Sequence, residues 1–171
     1  GGQLNAAVSL DGRADPIQAS ARVRALNIHL ERFFPKAELS NTGMGRVNGE
    51  FSLNGRGNSV GKMLATSNGK VGLVVSGGEI SKLMMEQVGL HLWEMLALKV
   101  SGDRPVKLHC AVANFGVKEG VMTADALVLD TQVTTILGTG NVNLGKETLD
   151  LTFNQRTKAT SPLALRSPIY V

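Results

Sequence analysis

Along most of this chain apolar and polar residues alternate with a period of two. No other feature constrains the fold as strongly. Successive side chains on a strand point to opposite faces, so the alternation demands strands with one face away from water. In "ETLDLTFNQ", Leu149, Leu151 and Phe153 point one way, while Thr148, Asp150, Thr152 and Asn154 point the other. In "VMTADALVLD", Val121, Leu127 and Leu129 share a face, with Thr123 and Asp125 between them. "PVKLHCAVANFGV" puts Val106, Leu108, Cys110 and Val112 on one face. "TQVTTILGTGNVNLG" runs long and carries Gly138 and Gly140, glycines of the kind that mark a bulge or bend inside a strand.

The connections between these strands are short. "GVKEGV" and "LGKETL" are charged, glycine-containing hairpin turns. No proline falls between Pro105 and Pro162, as central strands require. Together these features predict a four-stranded antiparallel meander from Val106 to Gln155.

The N-terminal part repeats itself. "GGQLNAAVSLDGR" and "GRVNGEFSLNGRG" align at Gly2/Gly45, Asn5/Asn48, Ser9/Ser52, Leu10/Leu53, Gly12/Gly55 and Arg13/Arg56. Each copy reads as a strand ending in a tight Asp-Gly or Asn-Gly turn. The strand "PIQASARVRAL" follows the first copy; a short helix and then the strand "GKVGLVVSGG" follow the second. A unit repeated in this way extends a sheet rather than closing it.

Three segments break the period. "NSVGKMLATSNG" places Val60, Met63 and Leu64 at helical spacing, with Asn58 or Ser59 to cap its start and Gly69 to end it. "SKLMMEQVGLHLWEMLAL" reads as the main helix, from a Ser81 cap to Leu98, with Met84, Val88, Leu92 and Met95 as the stripe that covers the sheet. A shorter helical turn is expected in "NIHLERFFP". The fold class is therefore mainly β (α+β): an elongated, curled antiparallel sheet with one long helix and one or two short ones.

Composition narrows the function. The net charge of +4 is spread without a basic run or interleaved aromatics, so a nucleic-acid partner has little support. The single cysteine, Cys110, lies in an apolar run and reads as a small buried hydrophobe. His29, His91 and His109 share no metal-ligand spacing, so no metal is expected, and no cofactor. "RGNSVGKM" departs from a P-loop at Arg56 and Met63, and no G-x-S-x-G elbow exists. Glu79, Glu86 and Glu94 are carboxylates without a partner set, so the chain does not read as an enzyme. No run of about 20 apolar residues is present to span a bilayer. The Gly-Gly start and the ending "SPIYV" read as the ends of an excised piece.

Several landmarks recur in a specific order: the Gly69-Lys70 strand after a short helix, Cys110 followed by Phe115, Gly120-Val121 opening the next strand, Asp130-Thr131, Gly138-Thr139-Gly140 before Val142-Asn143-Leu144, and Leu149-Asp150-Leu151. In this string the chain resembles the C-terminal domain of the AsmA family from about Asn58 to Val171. Residues 1–57 resemble the end of the preceding family sheet, and the two parts are expected to form one continuous unit. The resemblance implies a periplasmic protein of Gram-negative bacteria, anchored in the inner membrane by a segment absent from this chain. It implies a role in outer-membrane biogenesis, with a β-groove that binds or conducts phospholipid acyl chains between the two membranes. The alternative is a non-enzymatic scaffold that assists outer-membrane protein assembly through envelope protein partners.

The residues themselves allow two fates for the apolar face: it closes on itself as a sandwich, or it stays open for a ligand. On the open reading the groove candidates are Val106, Leu108, Val112, Leu127, Leu129, Leu149, Leu151 and Phe153.

Overall fold

The computed structural model describes residues 1–29, 45–80, 106–158 and 169–170. In chain order the elements are β1 (Gln3–Asp11), β2 (Gln18–His29), β3 (Arg46–Arg56), α1 (Val60–Ala65), β4 (Asn68–Ser76), β5 (Glu79–Ile80), β6 (Val106–Lys118), β7 (Val121–Thr131), β8 (Thr134–Asn143), β9 (Thr148–Thr157) and β10 (Ile169–Tyr170). All ten strands belong to one sheet, ordered β1-β2-β3-β4-β6-β7-β8-β9-β10, with β5 paired to β6. Every neighbouring pair is antiparallel. The sheet does not close: β1 and β10 are the two ends of the order, not partners. The mainly β, antiparallel architecture and the meander across Val106 to Gln155 are as expected.

The two repeated strands are β1 and β3, and they flank β2 on opposite sides. Leu10 pairs with Ala19, whereas its counterpart Leu53 pairs with Ala21. The copies are thus staggered by two residues. A shift of two keeps each side chain on its original face, which a shift of one would not.

Turn chemistry explains the tight connections. Glu119 and Gly120 both have positive φ (46° and 71°), the backbone of a two-residue hairpin whose twist matches its strands. The β7–β8 turn contains no glycine. Thr131 holds it instead: its hydroxyl accepts from the N–H groups of Val133 (3.3 Å) and Thr134 (3.0 Å) and donates to the Thr134 carbonyl (2.9 Å). At the β8–β9 turn the Asn143 side chain accepts from the N–H groups of Gly145 and Lys146.

Helix α1 starts at Ser59, whose hydroxyl accepts from the Lys62 N–H. It ends at Thr66 rather than at Gly69, which instead lies inside β4. The Thr66 hydroxyl donates to the Arg56 carbonyl (2.6 Å) and accepts from the Arg56 N–H (2.9 Å), stitching the helix end to the end of β3. The helix lies so close to β3 that a Cβ at Gly55 would strike the Met63 carbonyl. The long helix expected from Ser81 to Leu98, with Met84, Val88, Leu92 and Met95, lies outside the described residues. So does most of the turn expected in "NIHLERFFP", whose Asn27 to His29 end β2.

Buried apolar side chains are few among the described residues: Leu53, Val106, Leu108, Val117 and Ile136. Leu108 and Ile136 form a small core with Val75, Ala111, Leu129 and Phe153 packed against it. On the opposite face, Asp130 accepts from Lys158 (2.7 Å), from the Thr135 hydroxyl, and contacts His109 Nδ1 (3.0 Å). The Lys158 hydrogen bond, with those of Thr135 and His109, holds the Asp130 carboxyl well below the usual carboxylate range. This cluster ties β6, β7, β8 and the end of β9 together.

Two outcomes follow from these contacts. Gly55→Ala should displace α1 and lower stability by about 1–3 kcal/mol, measured by urea unfolding. Asp130→Asn should lower the melting temperature at neutral pH. Because the folded-state pKa is depressed, the stabilisation is present above the unfolded-state value near 4 and fades as pH falls below it. The gap in melting temperature between wild type and variant should therefore persist from neutral pH down to about pH 5 and shrink below about pH 4.

Candidate functional site

Strand register sorts the side chains into two faces across the whole sheet. One row of paired residues runs Leu4, Ala25, Gly49, Leu73, Ala113, Leu127, Gly138, Phe153, from β1 to β9. A second runs Val8, Ala21, Leu53, Gly69, Val117, Met122, Val142, Leu149. Neither row contains a polar side chain. A row on the other face runs Ala7, Arg22, Ser52, Lys70, Gly116, Thr123, Asn141, Asp150. Among the described strand residues charge is confined to that second face, where Lys70 and Glu50 form an ion pair at 3.5 Å.

The apolar face is largely uncovered among the described residues. Leu4 is 64% exposed, Val8 70%, Leu10 65% and Leu149 58%. Leaving a Leu or Val side chain in water forgoes about 1.5–3 kcal/mol of burial. A contiguous surface of this kind marks a place where something else binds. Towards the β9 side the face deepens into a cavity of about 350 Å³ lined by Leu73, Ala111, Val112, Ala113, Leu127, Val128, Leu129, Ile136, Gly138 and Phe153. Ala111 and Ala113 leave low ground between Leu73 on β4 and Leu127 and Leu129 on β7. Leu127 and Phe153 lean over Gly138, where a Cβ would come within 2.8 Å of Leu127 and 2.9 Å of Phe153. No lining side chain offers a hydrogen bond, so the cavity cannot orient a polar ligand. Its chemistry suits hydrocarbon.

Of the residues expected to line a groove, Leu127, Leu129, Leu149 and Phe153 lie on this face by register, and Leu151 joins them opposite Gly140. Leu108 belongs to the core beneath one end of it, and Val106 is buried beside β5. Val112 borders the cavity along the strand, as Val128 does, but by register its side chain belongs to the other face. It pairs with Val74 and Val128, between Ala111 and Ala113, which pair with apolar-face residues. The cause is a bulge between Leu108 and Cys110. One extra residue reverses the alternation, so Leu108 and Ala111 share a face instead of Leu108 and Val112. Cys110 is half-buried and pairs with Asp130, away from the core. A second bulge, with Asp125 as the extra residue between Ala124 and Ala126, separates Val121 and Thr123 from Leu127 in the same way. Periodicity alone also passed over Leu4, Ala6, Val8 and Leu10, although "QLNAAVSL" carries the same alternation.

Among the described residues no group of three or more His, Cys, Asp or Glu side chains could hold a metal ion. No described helix is long and apolar enough to cross a membrane.

With this geometry in place, the comparisons with known proteins are specific. The family model described as "AsmA family" matches residues 1–127, from β1 into β7. The chain is 35% identical over 171 residues to AsmA family protein YhjG of Escherichia coli (strain K12). That match covers 100% of this chain and 25% of the relative, so the chain spans about a quarter of that protein's length. No solved structure matches the chain.

Proposed function

Since the chain belongs to the AsmA family, a family linked to assembly of the cell envelope, we propose that its apolar face holds the acyl chains of phospholipids in transit between the inner and outer membranes. The observation that carries this reading is the apolar face itself, largely uncovered among the described residues, which continues in register over the sheet while the charged residues of the described strands lie on the reverse. Acyl chains need a dry lining without hydrogen-bonding groups, and the rows of Leu, Val, Ala and Gly provide one. An open sheet differs from an enclosed pocket: the lipid enters and leaves sideways, and its headgroup stays in water. The protein works without chemical catalysis, from the periplasm, held to the inner membrane by a part of the protein outside this chain.

A second reading draws on a different observation. Among the described residues no strand pairs with the outward edge of β1, and all nine residues of β1 are exposed. Such an edge can accept a strand from another polypeptide, which supports a scaffold role in outer-membrane protein assembly.

Leu151→Lys separates the two. On an open face the lysine stem lies along the sheet while its amine reaches water, so the fold survives. Acyl chains then meet a charge they cannot solvate. The whole protein carrying this substitution should keep its melting curve but lose about tenfold or more of its co-purified phospholipid, read by mass spectrometry. Leu149→Lys, at the more exposed neighbour, gives the same test should Leu151→Lys fail to fold. Wild-type protein without phospholipid, or a folded lysine variant with undiminished lipid, would overturn the lipid reading. Peptide binding at the β1 edge in that protein would then carry the second.

A further inference from the structure

The cavity on the apolar face is not an even trough. It opens past Leu73 on β4, which is 42% exposed. Its opposite wall is Ile136 on β8, only 4% exposed, with Leu129 and Phe153 packed against it. Among the described residues, then, one side is open and the other is closed by a small core. A cavity of this shape is blind: a ligand enters from one side and stops at the other.

Phe153 stands at the closed side for a local reason. Its partner on β8 is Gly138, whose partner on β7 is Leu127. A Cβ at Gly138 would lie 2.8 Å from the Leu127 Cβ and 2.9 Å from a ring-edge carbon of Phe153. Both separations fall inside carbon–carbon contact, about 3.5–4.0 Å, so the two side chains fill the space that any side chain at 138 would need. Glycine lets the ring reach from β9 across β8, as aromatic side chains do over glycines in sheets. The ring thereby becomes part of the cavity wall.

The dimensions select one ligand shape. The lining runs from Leu73 on β4 to Phe153 on β9, across β6, β7 and β8. Four inter-strand spacings of about 4.8 Å make about 19 Å. One acyl chain reaches about 15 Å, half the hydrocarbon thickness of a bilayer. Spread over that length, the cavity volume of about 350 Å³ leaves a cross-section of about 23 Å². Non-bonded carbons stay about 4 Å apart, so one chain fits abreast and two do not. No lining side chain offers a hydrogen bond, so a headgroup stays outside and the methyl end goes in first. We propose that the cavity is a blind subsite for the methyl end of a single acyl chain, and that Phe153, reaching over Gly138, sets the longest chain it accepts. This subsite presupposes the lipid reading of the apolar face and adds a length limit that an evenly open face would lack.

Calorimetric titration of the delipidated whole protein with laurate, myristate, palmitate, stearate and arachidate tests the limit. Each member adds a pair of methylenes, and affinity should rise by about tenfold per member while they are buried. The rise should stop within the series. Phe153→Leu, which keeps an apolar side chain on the core, should move the stop to a longer member. Ala113→Leu raises the floor between Leu73 and Leu127 and should move it to a shorter one, which keeps the test open should Phe153→Leu fail to fold. Val8→Ala, on β1 and outside the cavity, should leave the stop in place. Affinity that climbs evenly through arachidate, or a stop unmoved in the folded cavity variants, overturns the blind end and leaves the lipid reading standing. Binding of none of the series also overturns it; the lipid reading falls with it only if the wild-type protein carries no co-purified phospholipid.

Discussion

The backbone pairing that runs without interruption from β1 to β9 is the constraint on which the other features depend. Each strand alone has two faces but no fixed relation to its neighbours. Register converts eight separate alternations into continuous rows, such as the one from Leu4 to Phe153. A slip of one residue at any pair would put Leu or Val among the arginines of the reverse face. The hydrophobic contrast between faces therefore specifies the register, and the register in turn creates a surface wide enough to bind.

This arrangement accepts an unusual balance of burial. Only Leu53, Val106, Leu108, Val117 and Ile136 are buried apolar residues among those described. Among the described residues, cohesion comes from the ladder of main-chain hydrogen bonds and from local fixings at the turns and on the polar side. Thr131, Asn143 and Thr66 each hold a chain reversal by side-chain bonds to backbone. Asp130 gathers Lys158, Thr135 and His109 where β6 to β9 come together. Such fixings lie at the strand ends or on the polar side. They leave the apolar face free.

The two faces have different chemistries. On one side the cavity over Ala111 and Ala113 offers no hydrogen bond at all. On the other, the corner near Arg56 and Glu119 offers little else. A sheet one residue thick can present both because adjacent residues on a strand point in opposite directions. Ala19, at the edge of the apolar face, is flanked in sequence by Gln18 and Ser20, which lie on the polar face.

The amino-acid sequence by itself determined the class of fold, the meander from Val106 to Gln155, the short helix after Ser59 and the membership of Leu127, Leu129, Leu149, Leu151 and Phe153 in one face. These follow from local physics: side-chain alternation, capping hydroxyls and turn residues act within a few positions of one another. Tertiary structure alone decided the rest. The bulges at His109 and Asp125 reverse the alternation without any local signature, because an extra residue is defined only against a partner strand. That is why Val112 and Val121 lie on the polar face. Whether the apolar face would be closed or open could not be read from its composition either, since a sandwich core and an open groove require the same residues. Among the described residues the strand order leaves it unclosed: β1 and β10 end the sheet without meeting each other, and Leu4, Val8, Leu10 and Leu149 are exposed.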